Sequence, residues 1–584
     1  MKKKIILIWG AFLCASAAQA DNGSQGQPLA SVVTISREEL QDFKALDLAE
    51  VLRLYAGLSV SRTGGVAQPA QLSVRGSEPN QTVVLVDGIR INSGNTGLAA
   101  LQDIKLEMVE RIEIIKGAQS ALYGSGATGG VINIITRQPA VEYKSLSFMT
   151  GSGGARQPTL QYHVSGDDYR AGISLLGYAS GGEPNLLGST VDNALYNNGV
   201  NVYYKTQLGP VNIGLNGWLQ KGNTEYVEPA TQIKRNQDFD NEFFSLQLGG
   251  NFSAAWHSTL RLSQMLAQDH VHHRAPGALD NDVKTTILNT LEWQNEIALS
   301  EVNQLKVGLL VVDDKSSARI DDRPYNIVTA SKAIYLQDRF SIDKHRALIA
   351  VRQTDSDAFG GNTSWNLEYG YQLTADTEIV ALSGAAYREP NAIERMGVEG
   401  NLDLKAERST QAEVALRHTF SASHTLSVAL FQQRTKALIQ LNDAASAFVN
   451  RGVYENQGVE INHVMGGGAW GTRVDLVIQQ PKDRATGNEL GLRAKNSLTT
   501  QLYYQTTNSR TALQFVAVGP RKIISGSAAE LGGYGLVNLS SRKMFGKRWR
   551  LQGKLENLTD KRYQTVAGYG ALGRAAYVDL EWLF

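Results

Sequence analysis

The chain contains one cysteine, Cys14, and this cysteine lies within a segment that has the features of an export signal. Residues 2–4 are lysines, an apolar stretch follows them, and Ala18-Gln19-Ala20 fits a cleavage site. We therefore expect residues 1–20 to be a signal peptide whose removal leaves a mature chain without disulfides or cysteine-ligated metals. Lipid modification of Cys14 has weaker support, because the residues before it lack the small side chains that such a site prefers.

After the predicted signal, the sequence lacks any run of 18 apolar residues, so no membrane-spanning helix is expected. It also lacks an HExxH motif, a phosphate-binding loop and a recognisable pairing of nucleophile and base, so we expect no enzyme activity. The formal net charge of +1 gives no support for nucleic-acid binding. A membrane is not excluded, because each strand of a transmembrane barrel needs only about ten residues with every second one apolar.

The most informative stretch runs from Leu72 to Thr136. Short apolar strands alternate there with Asp-Gly and Gly-rich turns, and Asp87-Gly88 between two apolar runs is a strong hairpin signal. Upstream, Ser36 begins a capping box, which predicts a helix that stops near Gly57. We therefore predict a compact α+β domain over residues 21–139.

Residues 140–584 contain segments in which apolar and polar side chains alternate, separated by polar connections. In the last segment, every second residue is apolar: Val578, Leu580, Trp582 and Phe584. Such a pattern fits a soluble antiparallel sheet with one solvated face, or a barrel whose apolar face contacts lipid. The export signal, the length and the terminal aromatic residue favour the barrel, whose closure also removes sheet edges that lipid does not tolerate. A small domain ahead of this region suggests a plug inside the barrel.

Four parts of the sequence resemble the TonB-dependent outer-membrane receptors: residues 72–136, residues 388–407, residues 456–460 and residues 556–563. The segment Tyr563-Gln564-Thr565-Val566-Ala567-Gly568-Tyr569 is particularly similar to the C-terminal end of the cobalamin receptors in that family. The resemblance extends from about residue 31 to residue 584. It implies a membrane all-β fold, in which a 22-stranded antiparallel transmembrane β-barrel is filled by an N-terminal α+β plug domain.

The same resemblance implies active import of cobalamin or a related corrinoid across a bacterial outer membrane, energised by a TonB-type periplasmic coupling protein. A corrinoid is too large for ordinary porins, and the outer membrane holds no nucleotide pool, so the coupling protein has to supply the work. Outer-membrane lipids are a further expected partner, no nucleic acid is expected, and the sequence leaves open whether a surface lipoprotein assists. Two other functions stay open: a ferric-siderophore or haem receptor, and a non-transporting surface receptor or adhesin on the same barrel.

In this family, the coupling protein binds a short segment resembling D-T-L-V-V-T-A, held on a flexible leash ahead of the plug. Here Ser31, Val32, Val33 and Thr34 resemble the core of that segment. By position, however, they also form the first strand of the plug, and only residues 21–30 separate them from the predicted signal. Either this strand detaches and pairs with the coupling protein by strand addition, or the usual coupling is altered.

The resemblance to cobalamin receptors also implies which plug residues contact the ligand. The matching positions are Pro69, Gln71, Glu78, Thr96 and Gly97. Asn92 and Asn95 are additional candidates, because amide side chains can hydrogen-bond a ligand that is itself rich in amides. Glu78 stands where an amide is expected, which counts against cobalamin itself. Without the resemblance, these loops would be interpreted as ordinary turns.

Charged residues interrupt plug strands that are otherwise rich in Val and Ile: Arg75, Arg111, Glu113 and Lys116. The resemblance implies that plug arginines, with Arg75 and Arg111 as candidates, meet glutamates of the barrel wall. Glu413 and Glu460 are the candidate glutamates. Buried ion pairs are poor net stabilisers because their desolvation is costly, but they could fix the orientation of the plug. The alternative is that these charges are solvated on a domain surface.

The sequence assigns no metal or cofactor. His270, His272 and His273 alternate closely enough to bind a transition metal or a haem iron, although an exposed polar loop is the simpler interpretation. Residues 21–139 contain no histidine that could serve as a second haem ligand. Calcium, which Asp-rich outer loops bind in cobalamin receptors, has weak support because the acidic residues from Asp192 to Asp240 are out of register.

The segment Gly124-Ser125-Gly126-Ala127-Thr128-Gly129 matches the pattern G-x-G-x-x-G. In nucleotide-binding proteins this pattern lies between a strand and a helix, whereas here an apolar stretch that predicts a strand follows it. We therefore expect these glycines to allow tight turns of the plug backbone, and we expect no nucleotide site.

Overall fold

The computed structural model describes Leu29 and residues 31–66, 68–272, 282–442 and 444–584. The predicted signal peptide, nearly all of the segment between it and the first strand, and His273 lie outside the described residues. Within the described residues, no helix combines the length and the apolar character needed to cross a membrane.

The N-terminal part of the described chain forms a small α+β domain, called the plug below. Its strands are β1 (Val32–Ile35), β2 (Leu58–Arg62), β3 (Ala70–Val74), β4 (Thr82–Val86), β5 (Ile89–Arg90), β6 (Val109–Lys116) and β7 (Gly130–Thr136). Its α-helices are α1 (Arg37–Phe43), α2 (Leu48–Leu52) and α3 (Ser120–Tyr123). Single 3-10 turns cover Pro79–Gln81, Leu101–Asp103 and Leu106–Met108.

Two local features of the plug confirm their sequence predictions. The Ser36 side chain accepts a hydrogen bond from the Glu39 backbone N–H, and the Glu39 carboxylate accepts one from the Ser36 N–H, which completes the capping box of α1. Asp87 and Gly88 join β4 to β5 in a hairpin, with φ angles of 50° and 79°. A two-residue hairpin of this type requires positive φ at both positions.

The prediction of a single helix after Ser36 is wrong, because the chain forms two short helices. Lys44, directly after Phe43, has a left-handed backbone with φ of 41° and ends α1. The Asp47 side chain then accepts a hydrogen bond from the Glu50 N–H and starts α2. Both helices bury their apolar residues, so the apolar spacing that predicted one long helix is also compatible with two short ones.

The main sheet of the plug has the strand order β1-β6-β7-β4-β5, in which β4 and β7 are parallel and the other neighbours antiparallel. Its central strands are buried on both faces, which explains their nearly continuous apolar sequences. Strands β2 and β3 form a separate hairpin sheet. The two-residue edge strand β5 contacts the barrel wall at β14 (Trp256–His272).

The rest of the chain forms a closed barrel of 22 long antiparallel strands, and its last strand pairs with its first. The strands in this part are β8 (Tyr143–Gly151), β9 (Ala155–Ser165), β10 (Tyr169–Ser180), β11 (Leu195–Leu208), β12 (Val211–Val227), β13 (Lys234–Ser253), β14 (Trp256–His272), β15 (Asp282–Ser300), β16 (Asn303–Ile320), β17 (Arg323–Ile342), β18 (His345–Ser356), β19 (Gly360–Thr374), β20 (Thr377–Arg388), β21 (Glu407–Ser421), β22 (His424–Lys436), β23 (Ile439–Leu441), β24 (Phe448–Asn450), β25 (Val453–Met465), β26 (Trp470–Gln479), β27 (Lys482–Asp483), β28 (Asn496–Gln505), β29 (Ser509–Val518), β30 (Arg521–Lys522), β31 (Glu530–Leu531), β32 (Tyr534–Phe545), β33 (Trp549–Glu556) and β34 (Ala575–Leu583). The short strands β23, β24, β27, β30 and β31 and helix α4 (Ala392–Met396) lie in the connections.

The barrel is apolar outside and polar inside. On β34, Val578 and Leu580 are 50% and 45% exposed on the outer face, whereas Asp579 and Glu581 point inward and are buried. Strand β17 repeats the pattern with Ile334 outside and Tyr335 inside. This alternation confirms the predicted barrel with its apolar face toward lipid.

The two ends of the barrel differ in their connections. At the end where β34 finishes, the turns are short, as at residues 209–210 between β11 and β12. At the opposite end, connections such as residues 389–406 and 557–574 are long. Transmembrane barrels of this type place short turns in the periplasm and long loops outside the cell. These ends are called the short-turn end and the long-loop end below.

The plug lies inside the barrel lumen, as the predicted fold class requires. Val51 and Ile112 of the plug belong to one buried apolar cluster with Met149, Trp218 and Phe243 of the barrel wall. Residues 137–142 connect β7 to β8, and the domain boundary predicted at residue 139 falls within this connection.

Leu336→Arg should destabilise the barrel, because Leu336 lies on the outer face of β17 beside Val307 and Val351. A cationic side chain at the membrane midplane costs roughly 2–4 kcal/mol of unfolding free energy, against about 0–1 kcal/mol near the interface. Urea unfolding in lipid vesicles, followed by tryptophan fluorescence, measures this difference. Ala330→Arg is the control, because Ala330 is exposed on the same strand closer to the long-loop end. Equal costs for the two variants would contradict the described orientation of β17.

Candidate functional site

Four buried charges join the plug to the barrel wall, and they are called the central charge cluster: Arg75, Lys116, Glu413 and Glu460. Arg75 forms ion pairs with Glu413 at 2.6 Å and with Glu460 at 2.9 Å. The Lys116 ammonium lies 3.2 Å from the Glu460 carboxylate. The plug supplies both cations and the wall supplies both anions, so the cluster is neutral as a whole.

Unusual backbone positions make room for this cluster. Arg75 follows β3 with φ of 47° and Gly76 follows it with φ of 70°, so the chain turns tightly and directs the guanidinium at the wall. The guanidinium lies over the ring of Phe431, 4.3 Å from its centroid. A Cβ at Gly57 would lie only 2.9 Å from a Glu460 carboxylate oxygen, so a glycine is needed there.

The charges of the cluster depend on each other. Burial works to lower the pKa of Arg75, but the carboxylates of Glu413 and Glu460 outweigh burial and raise that pKa. Arg75 therefore remains charged in the lumen. Removing one partner from a buried pair typically costs about 3–5 kcal/mol, because it leaves an uncompensated charge away from water.

The first described strand is attached to this cluster. The Ser31 hydroxyl donates a hydrogen bond to Glu413, and the Lys116 backbone N–H donates one to the Ser31 carbonyl at 3.2 Å. Strand β1 continues from there along the edge of the plug sheet, with Val32 opposite Ile115. The four residues predicted to bind the coupling protein thus lie against β6, and Ser31 among them contacts the central charge cluster.

Arg111 does not join the cluster, contrary to the pairing expected from the resemblance. Its guanidinium pairs with Glu113 two residues along the same strand at 2.8 Å, and its side chain is 33% exposed. Lys116 supplies the second plug cation instead. In the sequence, Arg111 and Lys116 are both charged residues on an apolar strand. Only the packing of the folded plug shows that Lys116 faces a wall glutamate and Arg111 does not.

A second charge network, missed by the sequence reasoning, joins the plug to β33. Lys554 pairs with Glu50 of α2, and Glu556 pairs with Arg53 directly after α2. Arg53 also donates a hydrogen bond to the Tyr563 hydroxyl at 2.8 Å. A signal was present, because Lys554 and Glu556 lie on the polar face of a strand whose other face is apolar, and buried charges inside a lumen need partners.

A third contact lies nearer the short-turn end, where Asp42 of α1 pairs with Arg510 of β29 at 2.6 Å. Burial raises the pKa of Asp42 to about 6, although Arg510 and Arg542 favour its charged form. As the pH falls below about 6, this carboxyl becomes neutral and its ion pair with Arg510 is lost.

Three of the predicted ligand residues lie on the open surface of the plug at the long-loop end. Pro69 and Gln71 are exposed. Glu78 is 34% exposed and pairs with Arg493 of the connection after β26 at 2.7 Å. The acid that stands where an amide was expected is therefore neutralised by a barrel arginine.

Asn92 and Asn95 are buried, and their amides are used in contacts within the protein. Asn92 donates hydrogen bonds to the carbonyls of Thr82 and Gly97, both at 2.9 Å. Asn95 donates to the Thr285 carbonyl and accepts from the Tyr325 hydroxyl, both at 2.9 Å. These amides therefore hold a plug loop and its contact with the wall, and they do not point at the long-loop opening.

Thr96 and Gly97 are half-buried at the tip of the same loop. The Thr96 carbonyl accepts a hydrogen bond from the Asn391 side chain at 3.1 Å. Gly97 has φ of 73°, and a Cβ there would lie 3.0 Å from the Asn80 side chain. The tip is therefore pinned between the plug and the connection after β20.

The connection 557–574 covers the plug surface next to Gln71. The Thr565 hydroxyl accepts from the Arg62 backbone N–H and donates to the Arg62 carbonyl, both at 2.9 Å. Strand β2, which ends at Arg62, pairs with β3, on which Gln71 lies. The segment that resembles cobalamin receptors thus forms one wall of the open plug surface.

A cavity of about 240 Å³ separates one side of the plug from the barrel wall. Asn80 and Gly97 line it toward the long-loop end, whereas Lys306 and Gln337 line it toward the short-turn end. Strands β14 to β18 supply most of its outer side. The cavity therefore follows the plug along much of the lumen.

The glycine-rich motif lies beside this cavity. Gly124 and Gly126 have φ angles of 77° and 88°, and β7 follows, so the motif forms a tight turn ahead of a strand. The Ser125 hydroxyl accepts a hydrogen bond from the Glu389 backbone N–H at 2.9 Å. Burial raises the pKa of Glu389 to about 7, although three arginines that line the cavity oppose the shift: Arg90, Arg352 and Arg395.

Among the described residues, Asp238, His270 and His272 are the one group of three side chains with metal-ligand spacing. Their ligand atoms lie within 4.8 Å of one another, on the face of β13 and β14 that also carries the lipid-exposed Phe244. The acidic residues considered for calcium instead pair with cations: Glu225 with Lys234, Glu228 with Arg235, and Asp240 with Lys221.

Two family models match the chain. The TonB-dependent receptor plug domain matches residues 25–131, and the TonB-dependent receptor-like β-barrel matches residues 156–558. The vitamin B12 transporter BtuB of Photobacterium profundum is 25% identical over 623 aligned residues that cover 100% of both chains. That of Vibrio cholerae is 24% identical over 589 residues, covering 95% of this chain and 93% of the relative.

The similar solved structures have the same fold at lower identity. The siderophore receptor PirA from Acinetobacter baumannii has a TM-score of 0.82 at 18% identity, covering 95% of this chain and 98% of that one. A ferric enterobactin receptor (PfeA) mutant from Pseudomonas aeruginosa has a TM-score of 0.82 at 17% identity, with the same coverage. At such identities the likeness concerns the fold alone.

Glu460→Gln should loosen the plug without opening the barrel, because Lys116 would lose its ion pair and Arg75 would keep only the one with Glu413. The expected cost is about 3–5 kcal/mol for the plug. Hydrogen–deuterium exchange followed by mass spectrometry should show faster exchange in β3 and β6 and unchanged exchange in the barrel strands.

Glu489→Gln is the matched control, because Glu489 is 40% exposed and pairs with the 49% exposed Lys495. An exposed pair contributes about 0–1 kcal/mol, so plug exchange should stay as in the unmodified protein. Unchanged plug exchange in Glu460→Gln would show that the cluster does not hold the plug.

Proposed function

Since the chain belongs to the TonB-dependent outer-membrane receptors, we propose that the ligand it imports is cobalamin or a related corrinoid. Members of this family bind a substrate and interact with TonB, so the expected activity is transport and not a covalent reaction. The observation that carries the proposed ligand is the match to vitamin B12 transporters over the whole length of the chain.

The geometry of the long-loop end supports capture of a large ligand. Pro69, Gln71 and Glu78 line an open plug surface, and the connection 557–574 borders it through Thr565. A corrinoid carries many amide groups, so hydrogen bonds from side chains such as Gln71 suit it. The pairing of Glu78 with Arg493 keeps a free negative charge off this surface.

Release of the ligand would begin at β1. Ser31, Val32, Val33 and Thr34 occupy the edge of the plug sheet, where a four-residue strand can separate from β6 without disturbing the strands beyond it. Pairing of this strand with a TonB-type protein would remove the Ser31 hydrogen bond from Glu413 and uncover the strand that carries Lys116. Force applied at β1 would therefore reach the central charge cluster directly.

A ferric siderophore is the second candidate ligand. Arginines line the cavity beside the plug, and cationic groups suit the anionic iron-binding groups of many siderophores. The similar solved structures include siderophore receptors, but that likeness concerns the fold. Haem is less well supported, because residues 21–139 contain no histidine.

Purified protein should bind cyanocobalamin saturably, and cells that contain a TonB system should accumulate the labelled compound. Gln71→Ala should weaken binding by about 0.5–1.5 kcal/mol, because it removes one amide hydrogen-bonding group. Gln207→Ala, at an exposed residue near the short-turn end, is the control and should bind normally. Parallel titrations with ferric enterobactin and haem test the alternative ligands. Binding of ferric enterobactin or haem without binding of cyanocobalamin would overturn the proposal.

A disulfide between β1 and β6 should block uptake and leave binding intact. Val32 and Ile115 are directly opposite in this antiparallel pair, and their side chains join the same apolar cluster, so Val32→Cys with Ile115→Cys has suitable geometry. Under oxidising conditions, labelled cyanocobalamin should bind at the cell surface without accumulating, and a reductant should restore uptake.

The Val32→Cys single variant controls for the substitution itself, and it should take up cyanocobalamin under both conditions. Full uptake by the oxidised double variant would show that β1 does not have to leave the plug sheet.

A further inference from the structure

Five arginines line the cavity beside the plug, and two of them reach the same turn from different parts of the molecule. Arg90 comes from the plug edge strand β5, and Arg352 comes from the wall strand β18, where it is only 4% exposed. Both guanidiniums lie against one three-residue turn, formed by Gly124, Ser125 and Gly126. A Cβ at Gly124 would lie 3.2 Å from Arg352, and a Cβ at Gly126 would lie 3.3 Å from Arg90.

The glycine-rich turn therefore has a function beyond its backbone conformation. Arg90 donates a hydrogen bond to the Ser125 carbonyl at 2.9 Å, which places its guanidinium beside the centre of the turn. Arg352 reaches the other side of the turn, and its Nε donates to the Thr354 hydroxyl at 3.0 Å. Larger side chains in place of the two glycines would displace the guanidiniums, so this turn sets two positive charges side by side.

These two charges lack an ion-pair partner within the part of the chain that the structure describes. Three carboxylates line the same cavity but pair with neither arginine: that of Glu292, which pairs with Arg261, and those of Asp314 and Glu389. Asp314 instead accepts a hydrogen bond from Ser316 at 2.8 Å, and one carboxylate oxygen of Glu389 is buried without a hydrogen-bond partner. Arg352 is buried and Arg90 is half-buried, so two neighbouring cations with little access to water are unfavourable, and an anion between them would relieve this.

We propose that Arg90 and Arg352 form an oxyanion subsite on the path of the imported ligand, and that they bind the phosphodiester of a corrinoid. This inference rests on the proposed function. The phosphodiester of the nucleotide loop is the anionic group of cobalamin, whose peripheral side chains are neutral amides. Guanidinium groups match the geometry of phosphate oxygens and form two parallel hydrogen bonds to them.

The size of the cavity fits one group of the ligand and not the whole ligand. Its volume of about 240 Å³ is below the roughly 300–1,000 Å³ of pockets that enclose drug-sized molecules, and a corrinoid is larger than these. The part of the cavity toward the long-loop end is lined by Asn80 and Gly97, next to the open plug surface. The nucleotide end can therefore enter first, and the rest of the ligand follows once the plug moves.

The test compares cyanocobalamin with dicyanocobinamide, which lacks the nucleotide loop and its phosphodiester. Arg352→Gln and Arg90→Gln, each in the full-length protein, should reduce cellular uptake of cyanocobalamin about tenfold or more, because a charge-assisted contact is lost. Uptake of dicyanocobinamide should remain as in the unmodified protein, which also shows that each variant folds. Arg352→Lys keeps the charge and should retain part of the cyanocobalamin uptake. Arg319→Gln, at an exposed residue of β16, is the control for loss of an arginine and should import both compounds.

The outcomes separate this subsite from the proposed function. If the unmodified protein imports both compounds and the arginine variants lose both equally, or lose neither, the oxyanion subsite is wrong while corrinoid import stands. If the unmodified protein imports neither compound, both the proposed import of corrinoids and the proposed phosphodiester subsite are wrong. In that case, loss of anionic ferric enterobactin with retention of neutral ferrichrome in Arg352→Gln would assign the subsite to an anionic siderophore.

Discussion

The alternation of apolar and polar side chains along the barrel strands determines how the plug can be held. Because every second residue faces lipid, the apolar ones are committed to the outside, and the inner wall carries polar and charged groups. The inner wall therefore presents buried charged groups such as Asp579 and Glu581 of β34 to the plug, beside apolar ones such as Trp218 and Phe243. Ion pairs and hydrogen bonds therefore make up much of the interface, and all four residues of the central charge cluster are buried in it.

Such an interface suits a plug that has to be both held and released. The stabilisation from apolar burial grows with contact area and would oppose any displacement of the plug. A buried ion pair contributes little net stability but specifies one geometry. Arg75 satisfies both wall glutamates only in one position of the plug. Ser31 connects that position to the edge strand β1, so the segment proposed for force transmission and the charges that set the position are in direct contact.

Much of the fold could be predicted from the sequence because its signals are local. The hairpin at Asp87-Gly88, the capping box at Ser36 and the two faces of β34 each depend on residues that are adjacent or a few positions apart. The division of the first helix at Lys44 was missed, because a lysine in a left-handed conformation leaves no pattern in the sequence. The same apolar spacing fits one helix or two.

The candidate site was harder to predict, because many of its contacts join residues that are hundreds of positions apart, such as Arg75 and Glu460. Arg111 and Lys116 look alike on one strand, yet only Lys116 reaches a wall glutamate. Asn92 and Asn95 resemble free loop amides, and their partners Thr82 and Tyr325 become visible only when the loop is folded. Local composition identifies which residue types are present, but it does not reveal which polar side chains already have a hydrogen-bond or ion-pair partner within the protein.

The seam between β34 and β8 has a consequence for biogenesis. The barrel cannot close until β34 has been synthesised and has reached the membrane, and the plug precedes β34 in the chain. The barrel strands can therefore close around a plug that is already present, and a folded plug does not have to enter a barrel that is already closed. Removal of β34 would leave a gap between β33 and β8 in the membrane-embedded wall, next to the plug that the wall encloses.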